Sequence, residues 1–150
     1  MFAEIGAELA KLEKNRLAVQ LKQAHDERAR RQTTESHHHE NLEVLETAFR
    51  QIAVSFNAES DRSMRLSVRN TPEALMISRG GGTIIWLRVS ATKLYYRAPA
   101  RDNPVVSYHF IVERGPRNEI IFYPGNLPKD RMNVTEFVAA ILKHALNLPV

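Results

Sequence analysis

Apolar residues recur with a helical period over the first thirty residues of the chain. At 100° per residue, a first stripe consists of Phe2, Ile5, Leu9, Leu12 and Val19, with Arg16 interrupting it. A second stripe, about a third of a turn away, consists of Ala10, Leu17, Leu21 and Ala24. A helix that only covers a core needs one stripe. Two stripes therefore predict contacts with two partners, such as the protein's own sheet and a second copy of the chain.

We expect this first helix, residues 2–31, to mediate self-association, with a homodimer favoured over larger oligomers. Arg16 occupies a core position of the heptad pattern, which argues against a long regular coiled coil and favours a short helical contact. The residues predicted to make that contact are Phe2, Ile5, Leu9, Leu12, Leu17 and Leu21.

A polar segment, residues 28–39, follows the first helix and contains two residues that favour helix caps, Thr34 and Ser36. It is compatible with a hinge or with a polar stretch of continuous helix. We interpret it as a boundary that separates a helical association arm, residues 1–33, from an α+β domain, residues 34–150. The second helix, about residues 36–56, has one clear stripe that should enter the core: Leu42, Leu45, Phe49, Ile52 and Phe56.

Period-two alternation then predicts six strands. They cover residues 63–69, 74–78, 83–90, 93–98, 105–113 and 118–123. Short connectors rich in Gly, Pro and Asn favour hairpins, so the sheet should be an antiparallel meander. A last helix begins after Asn133, where Glu136 completes a capping box. The predicted fold is α+β: two N-terminal helices, a sheet of about six strands, and a C-terminal helix packed on one sheet face.

The composition excludes several kinds of functional site and indicates none. The chain of 150 residues contains no cysteine, which excludes disulfides, thiol nucleophiles and cysteine-ligated metal sites. Glu4, Glu8 and Lys11 interrupt the N-terminal apolar residues, so we expect no secretory leader. No apolar run approaches the roughly 20 residues of a membrane span. We therefore expect a cytoplasmic protein that does not contact a membrane.

The charge is unevenly distributed along the chain. Residues 1–61 hold 8 Lys and Arg against 11 Asp and Glu, a net charge of −3. Residues 62–150 hold 13 against 6, a net charge of +7. The two parts could attract one another, within a chain or between chains. Alternatively, the basic sheet could bind a polyanion.

Strand alternation places the basic residues and several aromatic residues on one sheet face. The candidates for binding nucleic acid or a partner are Arg65, Arg69, Trp86, Arg88, Lys93, Tyr95, Arg97, His109 and Tyr123. Such a mixture stacks bases and pairs with phosphates in single-strand binders. The same residues would also suit a second hydrophobic layer covered by the second helix or by another protein. The sequence favours this covered or protein-contacting interpretation.

Other chemically active residues do not form a recognisable motif. His37, His38, His39 and Glu40 are consecutive on a helix and point in different directions, so we predict no metal site. The glycines at 80–82 precede a strand and lack a Walker lysine, which favours a simple hairpin. His109 lies two residues from Ser107, too far along a strand for a direct hydrogen bond. We predict neither a cofactor nor catalytic residues.

The sequence thus favours a non-enzymatic protein-binding or scaffold module that self-associates through its N-terminal helices. The alternative is a nucleic-acid-binding protein that uses the basic sheet face. A second alternative is a small-ligand or enzyme domain with a pocket between the sheet and a helix.

Overall fold

The computed structural model describes residues 1–100 and 103–148. It is an α+β structure in which a long helix is followed by a six-stranded antiparallel sheet and a second helix. By proximity of Cα atoms the chain forms two units, Met1–Ser36 and His37–Val150. Among the described residues, no helix combines the length and apolarity that crossing a membrane requires.

The N-terminal region is one helix, α1 (Phe2–Glu59), and the predicted boundary between two helices is wrong. The residues expected to cap a second helix lie inside α1. Thr33 and Thr34 donate their hydroxyls to the carbonyls of Ala29 and Arg30, 3.0 and 2.9 Å away, one helical turn earlier. The segment also contains no Gly or Pro that would interrupt the helix. Its polar side chains are largely exposed to solvent.

The part of α1 that follows residue 37 buries a stripe spaced by four residues: Asn41, Leu45, Phe49 and Ala53. Leu45 and Phe49 were predicted to be core residues and are confirmed. Leu42, Ile52 and Phe56 are half-buried and pack against the same core. The buried stripe is thus rotated slightly from the predicted one, and it begins with a polar residue.

Two asparagines attach this part of α1 to the sheet. The Asn41 amide donates to the carbonyl of Ser90, 3.0 Å away, and its oxygen accepts from Arg114 at 2.8 Å. Near the end of α1, the Asn57 amide donates to the Leu66 carbonyl at 2.9 Å and accepts from the Leu66 N–H at 2.7 Å. These bonds satisfy backbone groups that sheet pairing leaves free.

The sheet is a simple meander with neighbouring strands in chain order. The strands are β1 (Leu66–Asn70), β2 (Leu75–Arg79), β3 (Gly82–Val89), β4 (Lys93–Ala100), β5 (Asn103–Arg114) and β6 (Ile120–Pro124). A 3-10 helix (Arg62–Met64) occupies the predicted start of β1, where the side chain of Met64 remains 40 % exposed. Gly80 and Gly81, with φ of 56° and 90°, form the β2–β3 hairpin.

Helix α2 (Val134–Ala145) begins as predicted. Asn133 accepts a hydrogen bond from the Glu136 N–H at 2.8 Å, and the Glu136 carboxylate accepts from the Asn133 N–H at 3.3 Å. Its apolar face buries Phe137, Val138, Ile141 and Leu142. Phe137 stacks on Phe122 of β6, with ring centroids 4.3 Å apart. The capping box thus fixes the start of a helix whose apolar face packs on the sheet.

Both helices contribute to one core on the same face of the sheet. The sheet side chains in that core are those predicted by alternation, including Leu75, Ile77, Ile85, Leu87 and Phe122. Because α1 and α2 share this face, the second helical segment does not cover the opposite face, which excludes one form of the covered or protein-contacting interpretation. The six-stranded sheet therefore has one face packed on helices and one that the helices of its unit leave free.

Candidate binding surfaces

The free face of the sheet carries three rows of side chains aligned by strand register. The first row crosses five strands in the order Arg69, Met76, Trp86, Arg97, Ser107. The second contains Arg88, Tyr95 and His109, and the third contains Lys93, Ile111 and Tyr123. We call these eleven residues the open face. Eight of the nine sequence-predicted sheet residues belong to it, and Arg65 immediately precedes β1.

Trp86 lies between two arginines of the first row. The guanidinium carbon of Arg97 lies 5.7 Å from the centre of the Trp86 ring, a cation–π distance. On the other side, Met76 separates Trp86 from Arg69, which is exposed. Trp86 itself is half-buried among these neighbours. The row thus presents a flat aromatic ring bordered by exposed cations.

A cavity of about 540 Å³ opens beside the second row. Its lining includes Arg88, Lys93, Tyr95, His109 and Ile111, and contains no carboxylate. The rings of Tyr95 and His109 are stacked with centroids 5.9 Å apart. Arg88 donates to the backbone carbonyl of Glu73. Within the described residues, no carboxylate lies within ion-pair distance of Arg88 or Lys93, so their charges are not neutralised there.

Tyr123 is the member of the open face least accessible to a ligand. It is 8 % exposed, and the Arg131 guanidinium carbon lies over its ring at 5.1 Å. Its hydroxyl donates to Glu113, and that hydrogen bond is the main cause that raises its pKa. Arg131 also pairs with Glu113 at 3.3 Å. Arg131 is not predicted from the sequence because it lies in an irregular segment, where strand alternation assigns no face.

His109 does not form a catalytic arrangement with a neighbouring polar group. It is exposed at the cavity, and none of the side-chain hydrogen bonds within the described residues involves it.

A smaller cavity of about 360 Å³ lies between His38 and Leu42 of α1 and the β1–β2 connection. Across residues 1–100 and 103–148, no three His, Cys, Asp or Glu side chains are grouped as a metal site.

A polar cluster joins α2 to the core face of the sheet. The His144 ring is hydrogen-bonded through Nδ1 to the Tyr96 hydroxyl at 3.2 Å and through Nε2 to the Tyr108 hydroxyl at 3.1 Å. Burial, and secondarily Tyr108, raises the pKa of Tyr96 well above its usual value. The cluster is explained by its role in helix packing, because each ring nitrogen has a hydroxyl partner.

The second candidate surface is the first part of α1. All residues of Met1–Ser36 are exposed, including every predicted oligomerisation residue. Phe2 is 88 % exposed, Leu21 73 % and Leu9 60 %. Arg16, which interrupts the first stripe, pairs with Glu13 on its own helix at 2.7 Å. This segment therefore presents both predicted stripes, without a partner among the described residues of its unit.

Comparison of the chain with models of protein families, with curated proteins and with solved structures finds no match.

Proposed function

We propose that this protein is a binding module that self-associates through residues 2–21 of α1, with a dimer as the assembly. The observation that carries the proposal is the exposure of seven large apolar side chains within these twenty residues. A second copy of the chain is the partner that always accompanies this surface at the same concentration, and homodimers are the commonest assemblies.

The energetics of a helix support this proposal. Most helical stability in proteins comes from packing an amphipathic face rather than from intrinsic propensity. Burying a Leu, Ile or Phe side chain contributes roughly 1.5–3 kcal/mol. The residues 2–21 gain none of this within their own unit, where all of them are exposed. Pairing with a second helix supplies the missing burial and stabilises the helical conformation.

The test is a charge substitution in the first stripe. The double variant Leu9→Lys, Leu12→Lys keeps good helix-forming residues but removes two central apolar contacts. Its control is Ala18→Lys, which falls on the same side of the helix as Lys11 and Lys22. Light scattering after size-exclusion chromatography should give twice 17.1 kDa for the unmodified protein and for the control. The double variant should have the mass of a monomer.

Two outcomes would contradict self-association through this stripe. One is a mass of 17.1 kDa for the unmodified protein at the highest concentration tested. The other is a dimer that persists in the Leu9→Lys, Leu12→Lys variant while its circular dichroism remains that of a folded protein.

A second candidate function is favoured by the open face, which the helices of its unit leave free. We propose that it binds single-stranded nucleic acid, with bases stacked near Trp86 and Tyr95. Base–aromatic stacking contributes about 1–3 kcal/mol per base, and surrounding cations bind the phosphates. Arg69, Arg88 and Arg97 are suitably exposed for such contacts.

Trp86 is the only tryptophan, so its fluorescence reports binding at this face. A mixed-sequence single-stranded oligonucleotide should quench it, and the affinity should fall steeply with salt. The double variant Arg69→Gln, Arg97→Gln should bind more weakly and reduce the log–log salt slope by roughly 1–2. The control Arg117→Gln, Lys129→Gln removes the same charge from exposed positions outside the open face. The proposal is wrong if oligonucleotide causes neither quenching nor a mobility shift at low salt.

The other predictions made from the sequence remain predictions. A different protein as occupant of the open face and a cytoplasmic location are both untested. The small-ligand or enzyme alternative, with a pocket between the sheet and a helix, is also untested. The cavity between α1 and the β1–β2 connection has that location, whereas His109 has no side-chain hydrogen bond within the described residues.

A further inference from the structure

The first stripe of α1 follows a heptad pattern over residues 2–19. Positions 2, 9 and 16 are the a positions, and positions 5, 12 and 19 are the d positions. Five of the six are apolar, and the sixth is Arg16. Glu8 occupies a flanking g position and Glu13 a flanking e position. These assignments determine which side chains meet when two copies of the helix pair, and the result depends on their relative direction.

A parallel, in-register pair brings like charges together. It places Arg16 opposite Arg16 of the partner subunit, at the apolar seam. It also places Glu8 beside Glu13 of the partner subunit, because g residues contact the following e residues across a parallel pair. Facing like charges are destabilising. A parallel pair would therefore have unfavourable contacts both within its seam and at its edge.

An antiparallel pair avoids both conflicts. The register that uses all six positions pairs residues whose numbers add to 21, so that Phe2 faces Val19 of the partner subunit and Leu9 faces Leu12 of the partner subunit. Arg16 then faces Ile5 of the partner subunit. Its aliphatic stem can cover that residue while its guanidinium keeps the ion pair with Glu13 on its own helix, 2.7 Å away.

The charge distribution along the helix favours the same direction. Residues 4–13 contain Glu4, Glu8 and Glu13 with one cation, Lys11, whereas residues 14–22 contain only cations, Lys14, Arg16 and Lys22. In this register, antiparallel pairing places Glu4 of each helix level with Leu17 of the partner subunit and next to Arg16 of the partner subunit, while residues 8–13 of the two helices lie level with one another. Parallel pairing brings acidic beside acidic and basic beside basic.

We infer that two copies of this chain pair through residues 2–19 of α1 as antiparallel helices, with Phe2 next to Val19 of the partner subunit. This inference rests on the proposed self-association and adds the direction and register of the contact. Charge complementarity between the two ends of the segment is the feature that selects a second copy as the occupant.

Cysteine cross-linking tests the direction, because the natural chain contains no cysteine and gives no background. The single variants Phe2→Cys and Val19→Cys are prepared separately, one with a tag that changes its mass, and are treated with a short bis-maleimide alone and mixed. Antiparallel pairing predicts cross-linking only in the mixture. In that arrangement the two copies of residue 2 in the dimer would be 17 residues apart, about 25 Å along the helix axis. The pair Ile5→Cys and Arg16→Cys repeats the test one layer further in.

Each other result has a distinct meaning. Cross-linking of each variant with itself, and equally in the mixture, would establish a parallel pair and overturn the inference. A dimer by mass that no combination cross-links would mean that other residues form the contact. A monomer by mass would instead overturn the proposed self-association, and the inference with it.

A charge reversal supplies an independent readout without cysteine. Glu4→Lys should weaken an antiparallel dimer about two- to fivefold, because it adds a cation next to Arg16 of the partner subunit. In a parallel pair the same variant would lie beside the acidic part of the partner helix and tighten the dimer. Sedimentation equilibrium measures the dissociation constant, and tighter association would contradict the antiparallel arrangement.

Discussion

The two parts of helix α1 have similar apolar content and opposite environments. Residues 2–21 and residues 41–59 each contain seven large apolar side chains. Those of the first segment are all exposed, whereas the second segment buries Leu45 and Phe49 completely. Apolar content alone therefore does not decide where a helix packs.

Polar contacts distinguish the two segments. Asn41 and Asn57 bracket the packed segment and hydrogen-bond to Ser90 and Leu66 of the sheet region. In residues 2–36, the side-chain hydrogen bonds involve only groups within the same helix, such as Arg16 with Glu13. The comparison teaches that the packed segment is positioned by two side-chain amides that bond to the sheet region, whereas the exposed segment has only its own apolar stripes to present to a partner.

The largest expected difference between residues 41–59 and residues 2–21 is in how much replacing an apolar side chain with alanine lowers the free energy of unfolding. Phe49→Ala removes a side chain that is 1 % exposed, and should lower the free energy of unfolding by about 3–5 kcal/mol. Leu21→Ala, at a residue 73 % exposed, should change it by less than about 0.5 kcal/mol at concentrations where the chain is monomeric. Denaturant titration monitored by Trp86 fluorescence reports the sheet in both variants. Equal destabilisation would show that the two segments are packed alike, and Val54→Ala serves as an exposed control within the packed segment.

The next largest effect should come from the buried amide. Asn41→Ala leaves the Ser90 carbonyl without its side-chain donor and removes an acceptor from Arg114. Arg114 is largely buried, and keeps its ion pair with Glu40, at 3.1 Å, and a hydrogen bond to the Asn118 carbonyl, at 3.4 Å. Unpaired buried groups cost about 1–3 kcal/mol each, so the loss should be about 2–3 kcal/mol. Glu43→Ala, on the exposed side of the same turn, is the control, and an equally stable Asn41→Ala protein would contradict a positioning role.

Much of this architecture could be predicted from periodicity. The six strands, the core face of the sheet and the capped start of α2 follow from alternation and from Asn133 with Glu136. Helix continuity through residues 28–39 could not be predicted, because Thr34 and Ser36 favour both a cap and a polar helix surface. In the structure the helix is continuous, and the Thr34 hydroxyl bonds to the preceding turn instead of capping a new helix. Asn41 was missed because a polar residue in an apolar stripe gives no sign of its distant partners.

The open face could likewise be predicted from the sequence only in part. Alternation placed its cations and aromatic residues on one side, since side chains along a strand alternate strictly. It could not determine whether a helix covers that side, because this depends on which face receives both α1 and α2. Arg131 lies outside any strand, so no periodicity could place it over Tyr123.

A smaller effect is expected at the start of α2, where helix capping is local. Asn133→Ala removes the acceptor of the Glu136 N–H and should destabilise the sheet unit by about 1 kcal/mol. Thr135→Ala, exposed in the same turn, should be close to neutral. Residues 2–21 are expected to contribute little to the stability of the sheet unit. If α2 contributed equally little, Asn133→Ala would also leave stability unchanged. Thermal unfolding followed by Trp86 fluorescence separates these outcomes.

Substitution of Tyr96 should have the smallest effect on stability near neutral pH. Its effect should appear in alkaline solution. Burial raises the pKa of its hydroxyl in the folded protein, so the folded state holds this proton more tightly than the unfolded state. Below about pH 10, the ordinary tyrosine value, both states are protonated and the stabilisation is fully present. As the pH rises above that value, the unfolded state loses its proton first and stability falls, by at most about 1.4 kcal/mol per pH unit. Tyr96→Phe should flatten this decline, whereas Tyr95→Phe on the open face should retain it. Parallel stability–pH curves for Tyr96→Phe and the unmodified protein above pH 10 would show that the buried hydroxyl does not control alkaline unfolding.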